Sequence, residues 1–294
     1  MKNIRILASI LLVIATSCKV PVRPLPSEPG KWFFSTVSRK FDVQAGLMDE
    51  ASGMVESRTI VRHLWVQEDG GNIAQLHLID INGKFVKRIA LPFANRDWED
   101  LGIGPGPETG VSYLYMADIG DNNARNSACY IYRFPEPKSA GESVTTVDKI
   151  TFKYPDGARD AETILVDPAT KDIFIVSKRE SKARLYKLPY PQSITETITA
   201  KYLGELPIFG PTGGSVSVDG SEILIRTYLD VNYWYRTDNQ SMENLLLNNT
   251  PKTLKIDLEQ QGEAVAFSMA RPGFYTLSEK RDVQPVTLNF YKRL

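Results

Sequence analysis

The chain has 294 residues, with 35 lysines and arginines balanced by 35 aspartates and glutamates, so its formal net charge is zero. This balance lacks the basic excess typical of nucleic-acid binding, so no nucleic-acid partner is expected. The only two cysteines, Cys18 and Cys129, do not build a disulfide framework, and a chain of this length can bury a core without one.

The first 18 residues have the order of an exported bacterial lipoprotein. A positively charged start precedes an apolar run from Ile6 to Ala15, and Cys18 follows shortly after. This order predicts a signal peptide over residues 1–17, with Cys18 lipidated as the new amino terminus. The apolar run is too short to span a bilayer. Because Ala15 replaces the leucine usual in such signals, an ordinary signal peptide with an incidental cysteine is the alternative.

Residues 18–30 contain four prolines and predict a stiff tether between the anchor and a single domain over residues 31–294. Together these segments predict a protein of the bacterial cell envelope, on the periplasmic or outer-membrane face. The lipid on Cys18 would be its contact with the membrane.

The domain contains one motif five times, each copy opening with a short polar-then-apolar segment. The steps between equivalent positions are 47, 63, 52 and 49 residues. A period near 50 residues with several short strands per unit is typical of a β-propeller blade. The positions taken as equivalent are Ser52, Glu99, Glu162, Gly214 and Glu263.

The later segments of each unit predict an all-β fold of five four-stranded blades. The near-continuous apolarity of segments such as Ile173–Ser177 indicates strands covered on both faces. The fifth unit ends before its outer strand, so we expect Trp32–Val37 to supply that strand and close the ring. The proline- and glycine-rich stretch Phe134–Gly157 leaves six blades as an alternative, and an irregular β-sandwich is a second one.

Inner blade strands line a central channel, where charged side chains have to be paired, hydrated or bound to a ligand. One interpretation is a site for a hard cation such as Ca²⁺, which prefers oxygen ligands. The other is that the acids pair with bases, among them Arg179, Lys280 and Arg281, and hold the blades in register. The candidate channel residues are Glu68, Asp69, Asp97, Glu99, Asp160, Glu162, Lys178, Arg226, Glu263 and Glu279.

The run from Asp118 to Asn126 is the densest polar segment at a strand end. One hypothesis is that Asp118, Asp121 and Asn122 join Glu99 and Glu162 as metal ligands. The alternative is an Asx-rich turn whose side chains bond nearby amides. With only two histidines in the chain, a zinc site with several histidine ligands is excluded.

Three strings carry a resemblance to a known family: Asp97–Leu101, Asp118–Asn123 and Ile131–Pro137, continued by shorter matches to the end of the chain. They resemble a family of exported bacterial β-propeller proteins with little functional characterisation. That family is similar at a distance to phytase-like and lactonase-like propellers. This resemblance implies channel acids that bind Ca²⁺ and substrates of the phosphate-ester or lactone kind, although the multi-acid phytase site is not recognisable as a linear motif.

Three functions remain open at this point. The first is a module that binds a small molecule, glycan, peptide or divalent metal in the channel. The second is a metal-assisted hydrolase of phosphate esters or lactones, and the third is a structural interaction scaffold. The sequence shows no nucleophile–base pair, which favours binding, although metal-activated water needs no such pair.

Overall fold

The computed structural model describes residues 34–237, 239–270, 272–280 and 286–294. The predicted signal peptide, Cys18, the tether and Arg281 lie outside these residues. The described residues form 21 strands, numbered β1 to β21 along the chain, and one short helix, α1. Hydrogen bonds join the strands into five sheets, which confirms the predicted propeller of five blades.

Blades 1 and 2 run from an inner strand outwards, and consecutive strands pair antiparallel. Blade 1 consists of β2 (Ala51–Glu56), β3 (His63–Glu68), β4 (Gln75–Asp80) and β5 (Phe85–Ala90). Blade 2 consists of β6 (Trp98–Pro105), β7 (Ser112–Asp118), β8 (Cys129–Pro135) and β9 (Asp148–Lys153), with β13 (Ile198–Thr199) parallel to β9 at its edge.

Blades 3 and 4 repeat this order, and α1 (Met242–Asn248) lies in the connection before the last strand of blade 4. The hydroxyl of Ser241 caps α1 by accepting the backbone N–H of Asn244 at 3.1 Å. Blade 3 consists of β10 (Ala161–Val166), β11 (Ile173–Ser177), β12 (Arg184–Leu188) and β14 (Lys201–Glu205). Blade 4 consists of β15 (Pro211–Val216), β16 (Glu222–Thr227), β17 (Asp230–Tyr235) and β18 (Lys252–Lys255).

Blade 5 joins both ends of the domain, as predicted, but through a different segment. It consists of β19 (Gly262–Phe267), β20 (Gly273–Ser278), β21 (Thr287–Lys292) and the amino-terminal β1 (Arg39–Asp42). The predicted segment Trp32–Val37 is not this strand: its first two residues lie outside the described ones, and Phe34 makes only an isolated bridge to Arg293. The outer strand faces solvent, so a mostly polar segment forms it.

The long step between Glu99 and Glu162 does not contain a sixth blade. Residues 136–147 form no strand and simply connect β8 to β9. The prolines and glycines that suggested an extra blade therefore belong to a connection within blade 2, which excludes the six-blade alternative.

The hydrophobic core lies between the blades. Among the described residues, five buried apolar clusters occupy the five spaces between neighbouring blades. Trp65 of blade 1, for example, packs with Leu101 and Met116 of blade 2. The described residues include no helix with the length and apolarity needed to cross a membrane.

The five inner strands β2, β6, β10, β15 and β19 contact one another in sequence, and β19 contacts β2 to complete the ring. Their approach is close. A Cβ atom on Gly53 of β2 would lie 2.4 Å from the backbone nitrogen of Leu101 in β6. Only glycine permits this separation. The inner strands therefore pack closely around the central axis of the propeller.

Candidate functional site

Every inner strand carries a β-bulge at its beginning, at the equivalent position of each blade. A bulge inserts one extra residue and re-aims its side chain. In blade 4 the bulged residue is Thr212, so the predicted equivalence of Gly214 is wrong by two positions. With Thr212 in place, the two last steps become 50 and 51 residues. The five bulged residues are Ser52, Glu99, Glu162, Thr212 and Glu263.

Two groups of three acids lie at the mouth of the channel where these bulges occur. Carboxylate oxygens of Asp69, Asp97 and Glu99 lie within 4.8 Å of one another, and so do those of Glu99, Asp160 and Glu162. Glu99 belongs to both groups. Glu263 and Glu279 also act electrostatically on these acids. These seven carboxylates, called the acidic cluster below, come from blades 1, 2, 3 and 5.

Glu99 is the central member of the acidic cluster, and its side chain has no partner among the described residues. It is only 4% exposed, and no described group donates a hydrogen bond to its carboxylate. Burial, and then the negative charges of Glu162 and Asp69, raise the pKa of Glu99 well above its ordinary value. A carboxylate in this setting has to hold a proton or bind a cation.

Other members of the acidic cluster also hold protons more tightly than usual. Burial raises the pKa of Asp69 to about 7, assisted by the charges of Glu263 and Asp97. Burial and the charge of Glu263 raise the pKa of Glu279 to about 8. Asp69 and Glu279 therefore titrate near neutral pH rather than near pH 4, as isolated acids do.

Two cations neutralise only the blade 3 side of the acidic cluster. Lys178 forms an ion pair with Glu162, and Arg179 forms one with Asp160. The ammonium of Lys178 also donates to the Tyr228 hydroxyl at 2.9 Å, which in turn donates to Glu263 at 3.3 Å. No described lysine or arginine pairs with the remaining three acids of the two groups, Asp69, Asp97 and Glu99.

Gly120 forms part of the wall next to these unpaired acids. A Cβ atom at Gly120 would lie 2.1 Å from Oε1 of Glu99 and 2.5 Å from Cγ of Asp97. The lack of a side chain at Gly120 therefore makes room for the two carboxylates.

Two of the predicted channel residues form other contacts. Glu68 accepts a hydrogen bond from Nε2 of buried His77 at 2.9 Å. Burial opposes ionisation of Glu68, but His77 outweighs it and lowers the pKa of that carboxyl. Arg226 is fully buried and donates to the carbonyls of Ala264 and Leu277 in blade 5, at 2.9 and 3.2 Å. Both residues hold strands in place instead of joining the acidic cluster.

The polar loop after β7 folds back on itself. Asp121 accepts the backbone N–H groups of Arg125 and Asn126 at 2.9 and 2.7 Å, which is the turn-capping arrangement that the sequence left open. Asp118 accepts Nε of Arg96 at 2.8 Å. Neither carboxylate belongs to the two three-acid groups.

The remaining predicted residues lie partly beside the acidic cluster and partly outside it. The amide oxygen of exposed Asn122 contacts Arg179, so it lies beside the acidic cluster as the partner of a cation. Lys280 pairs with Asp49 at 3.0 Å, outside the acidic cluster. Of the predicted bases that the structure describes, Lys178 and Arg179 alone pair with its acids.

Sequence reasoning missed two residues that shape the site. Asp100 is fully buried below Glu99 and accepts backbone N–H groups of Leu101, Ile164 and Gly214 at 2.8 to 3.0 Å. The available signal was an acid at a position where the other inner strands have glycine, threonine or alanine. Tyr228, which links Lys178 to Glu263, follows β16 and ends one of the shorter family matches, but its residue type alone did not mark it as part of the site.

No protein-family model matches the chain, and neither does any curated protein. Among solved structures, a luciferin-regenerating enzyme is similar with a TM-score of 0.49 and 11% identity, over 87% of this chain and 95% of the other. A nidogen–laminin complex gives a TM-score of 0.45 and 10% identity over 78% and 72%. Kuenenia stuttgartiensis hydrazine synthase gives 0.39 and 9% over 79% and 56%. Likenesses this distant carry no functional argument, and the fold rests on the strand pairing itself.

Proposed function

We propose that the acidic cluster binds a divalent cation, with Asp69, Asp97, Glu99, Asp160 and Glu162 as its ligands. The observation that carries this proposal is Glu99, a buried carboxylate that belongs to both three-acid groups and to which no described residue donates a hydrogen bond. The second carboxylate oxygen of Glu162 is also buried without a hydrogen-bond partner. A bound cation would compensate the Glu99 carboxylate and this Glu162 oxygen, to which no described lysine or arginine donates a hydrogen bond.

The ligand set favours Ca²⁺. All candidate ligands are carboxylate oxygens, which suit hard cations, and the described histidines are not among them. Ca²⁺ accepts six to eight oxygens in flexible geometry, whereas Mg²⁺ demands a near-ideal octahedron. Five acids from loops and bulges of three blades fit the less demanding ion better.

Calcium titration of the purified domain tests this proposal. Binding to the folded state stabilises by about 2.7 kcal/mol at a hundredfold excess over the dissociation constant. At about 2–4 °C per kcal/mol for a domain of this size, we expect a rise in melting temperature of about 5–11 °C that a chelator reverses. We expect Glu99→Gln to weaken calcium binding about tenfold or more, because one ligand charge is lost.

Glu56→Gln is the control, since Glu56 is a half-buried acid with a raised pKa, which accepts the backbone N–H of Met269 at 3.0 Å in a different part of the blades. It should bind calcium like the unmodified domain. A flat calcium titration, together with a Glu99→Gln variant destabilised in chelator, would contradict the proposal and support the structural interpretation of the acids.

A metal-assisted hydrolase of phosphate esters or lactones is the second candidate function. The observation in its favour is the linked pair Lys178 and Tyr228 beside the acids, which supplies hydrogen-bond donors for a developing oxyanion facing a bound cation. Calcium-dependent release of 4-nitrophenol from its phosphate ester, or opening of a simple lactone, would be lost in Tyr228→Phe. Binding of calcium without either activity would leave the binding function alone.

We further propose that the protein is anchored in the bacterial cell envelope by a lipid on Cys18. Support comes from the order of charged, apolar and small residues before that cysteine. A palmitate analogue fed to the native host should label the protein, and Cys18→Ala should abolish the label. Labelling that persists in this variant would contradict the anchor.

A further inference from the structure

A cleft of about 310 Å³ opens beside the acidic cluster, between blades 3 and 4. Lys178 and Arg179, just after β11, form one wall, and Tyr228 and Leu229, just after β16, form the other. Phe209, shortly before β15, completes it. Two side chains of the cleft, Lys178 and Tyr228, also contact acids of the cluster, so the cleft adjoins the candidate cation site.

The cleft presents two large apolar side chains to solvent. Phe209 is 70% exposed and Leu229 is 72% exposed. Fully covering such a side chain stabilises a complex by about 1.5–3 kcal/mol. Exposed apolar side chains beside a concave polar site are the usual composition of a small-molecule pocket, and a volume near 300 Å³ is at the lower end of the range of such pockets.

The wall formed by Lys178 and Arg179 carries two positive charges, and both already form ion pairs. Lys178 pairs with Glu162 and Arg179 pairs with Asp160, and both acids are candidate ligands of the divalent cation. A cation bound by these two carboxylates competes directly with the ammonium and the guanidinium. The positive charges of Lys178 and Arg179 then become available to an anion in the cleft.

We propose that this cleft binds a small organic anion, and that calcium and the anion strengthen each other's binding. The apolar group of the anion lies on Phe209 and Leu229, and its anionic oxygens accept hydrogen bonds from Lys178, Arg179 and Tyr228. The coupling rests on the proposed cation site, whereas the cleft rests on its own composition. Thermodynamic reciprocity requires each ligand to change the affinity of the other by the same factor.

Isothermal titration with phenylphosphonate tests the cleft. Methylphosphonate has the same anionic group without the ring, and benzyl alcohol has the ring without the charge. In calcium we expect phenylphosphonate to bind at least about tenfold more tightly than methylphosphonate, because about 1.4 kcal/mol from covering the ring already corresponds to that factor. It should also bind at least about tenfold more tightly than benzyl alcohol, which has no charge to offer Lys178 and Arg179. Equal affinities for phenylphosphonate and methylphosphonate would overturn the apolar part of the proposal.

Phe209→Ser should weaken phenylphosphonate binding about tenfold while calcium binding in the absence of the anion stays unchanged. Leu258→Ser is the control, because Leu258 is also an exposed leucine, at 83%, but does not line the cleft. Equal phenylphosphonate affinity in both variants would place the anion elsewhere and overturn the proposal.

Repeating both titrations with and without the other ligand separates the two proposals. Calcium binding without any binding of phenylphosphonate would overturn the cleft and leave the cation site intact. Phenylphosphonate binding that depends on Phe209 in a protein that does not bind calcium would uphold the cleft but contradict the cation site and the coupling. A calcium affinity that saturating phenylphosphonate leaves unchanged would overturn the coupling alone.

Discussion

Glu99 and Asp100 are neighbours on strand β6, and both are buried carboxylates, but their surroundings are opposite. Asp100 accepts three backbone N–H groups, from its own strand and from the inner strands of blades 3 and 4. Glu99 has no described donor and faces other acids. Burial raises the pKa of both. At Asp100 the three backbone N–H groups partly offset this rise, because they favour the ionised carboxylate. No such donors are described for Glu99.

The β-bulge explains the contrast. It inserts Glu99 between Trp98 and Asp100, which pair with Asp118 and Ala117 of β7, so the two acids project to different depths of the channel. At the depth of Asp100 the neighbouring strands offer backbone donors. At the mouth, Glu99 lies beside other carboxylates, and no described backbone N–H group donates to it. A buried acid that the fold satisfies indicates a structural role, and one that the fold leaves unsatisfied indicates a ligand.

The largest effect is expected at Asp100. Asp100→Ala leaves three buried N–H groups without an acceptor, and each such group costs about 1–3 kcal/mol. We expect a loss of at least about 3 kcal/mol in the free energy of unfolding, measured by urea denaturation in chelator. Glu99→Gln is the matched comparison and should lose less than about 1 kcal/mol, because it removes no hydrogen bond. Similar losses in the two variants would remove the distinction between them.

The fold was predictable because it depends on recurrence. Five bulged positions at similar spacing, followed by apolar strands, identify five blades without any knowledge of contacts. The outer strand Arg39–Asp42 was not identified because one face is wet and its sequence has no apolar pattern. The equivalent position of blade 4 was misplaced because Thr212 is followed by two glycines, so no charge marks it.

The candidate site was predictable in its composition but not in its partners. The position of Glu99, Glu162 and Glu263 at equivalent places in their blades was enough to bring them to one axis. Side-chain direction was not predictable: Arg226 reaches across to blade 5, and Asp121 turns back to its own loop. These choices depend on which donors and acceptors happen to be near in three dimensions, and strand patterns contain no such information.

The pH dependence of stability is the second prediction, and it concerns the buried acids with raised pKa values, most of which lie at the mouth. The folded protein holds protons on acids with raised pKa, including Asp69 at about 7 and Glu279 at about 8, which the unfolded chain has already released. Between about pH 5 and pH 8 the unfolded state therefore binds fewer protons, and the stability of the folded state falls as pH rises. Acids with lowered pKa, such as Glu68, act in the opposite direction but titrate below about pH 4.5.

Melting temperatures in chelator between pH 5 and pH 8 measure this effect. We expect a fall with rising pH, because deprotonation of the acidic cluster brings like charges together. Calcium should flatten the profile, since it replaces the protons, and its affinity should increase over the same pH range. A melting temperature that increases from pH 5 to pH 8 in chelator would contradict the raised pKa values at the mouth.

The smallest effect on stability, and the sharpest on the site, is expected at Gly120. A methyl group there would overlap Oε1 of Glu99 and the carboxyl carbon of Asp97, both ends of side chains that can move. The fold should adjust at a cost of under about 1 kcal/mol, whereas the two carboxylates lose the positions from which they converge. We expect Gly120→Ala to weaken calcium binding about tenfold, measured by calorimetry, and to leave the urea midpoint in chelator nearly unchanged.

Gly71→Ala tests the alternative that any alanine in a nearby loop has this effect, since Gly71 has open space around its Cβ position but a positive φ of 82°. It should lower stability slightly and leave calcium affinity intact. Unaltered calcium affinity in Gly120→Ala would show that Glu99 and Asp97 do not act as ligands together.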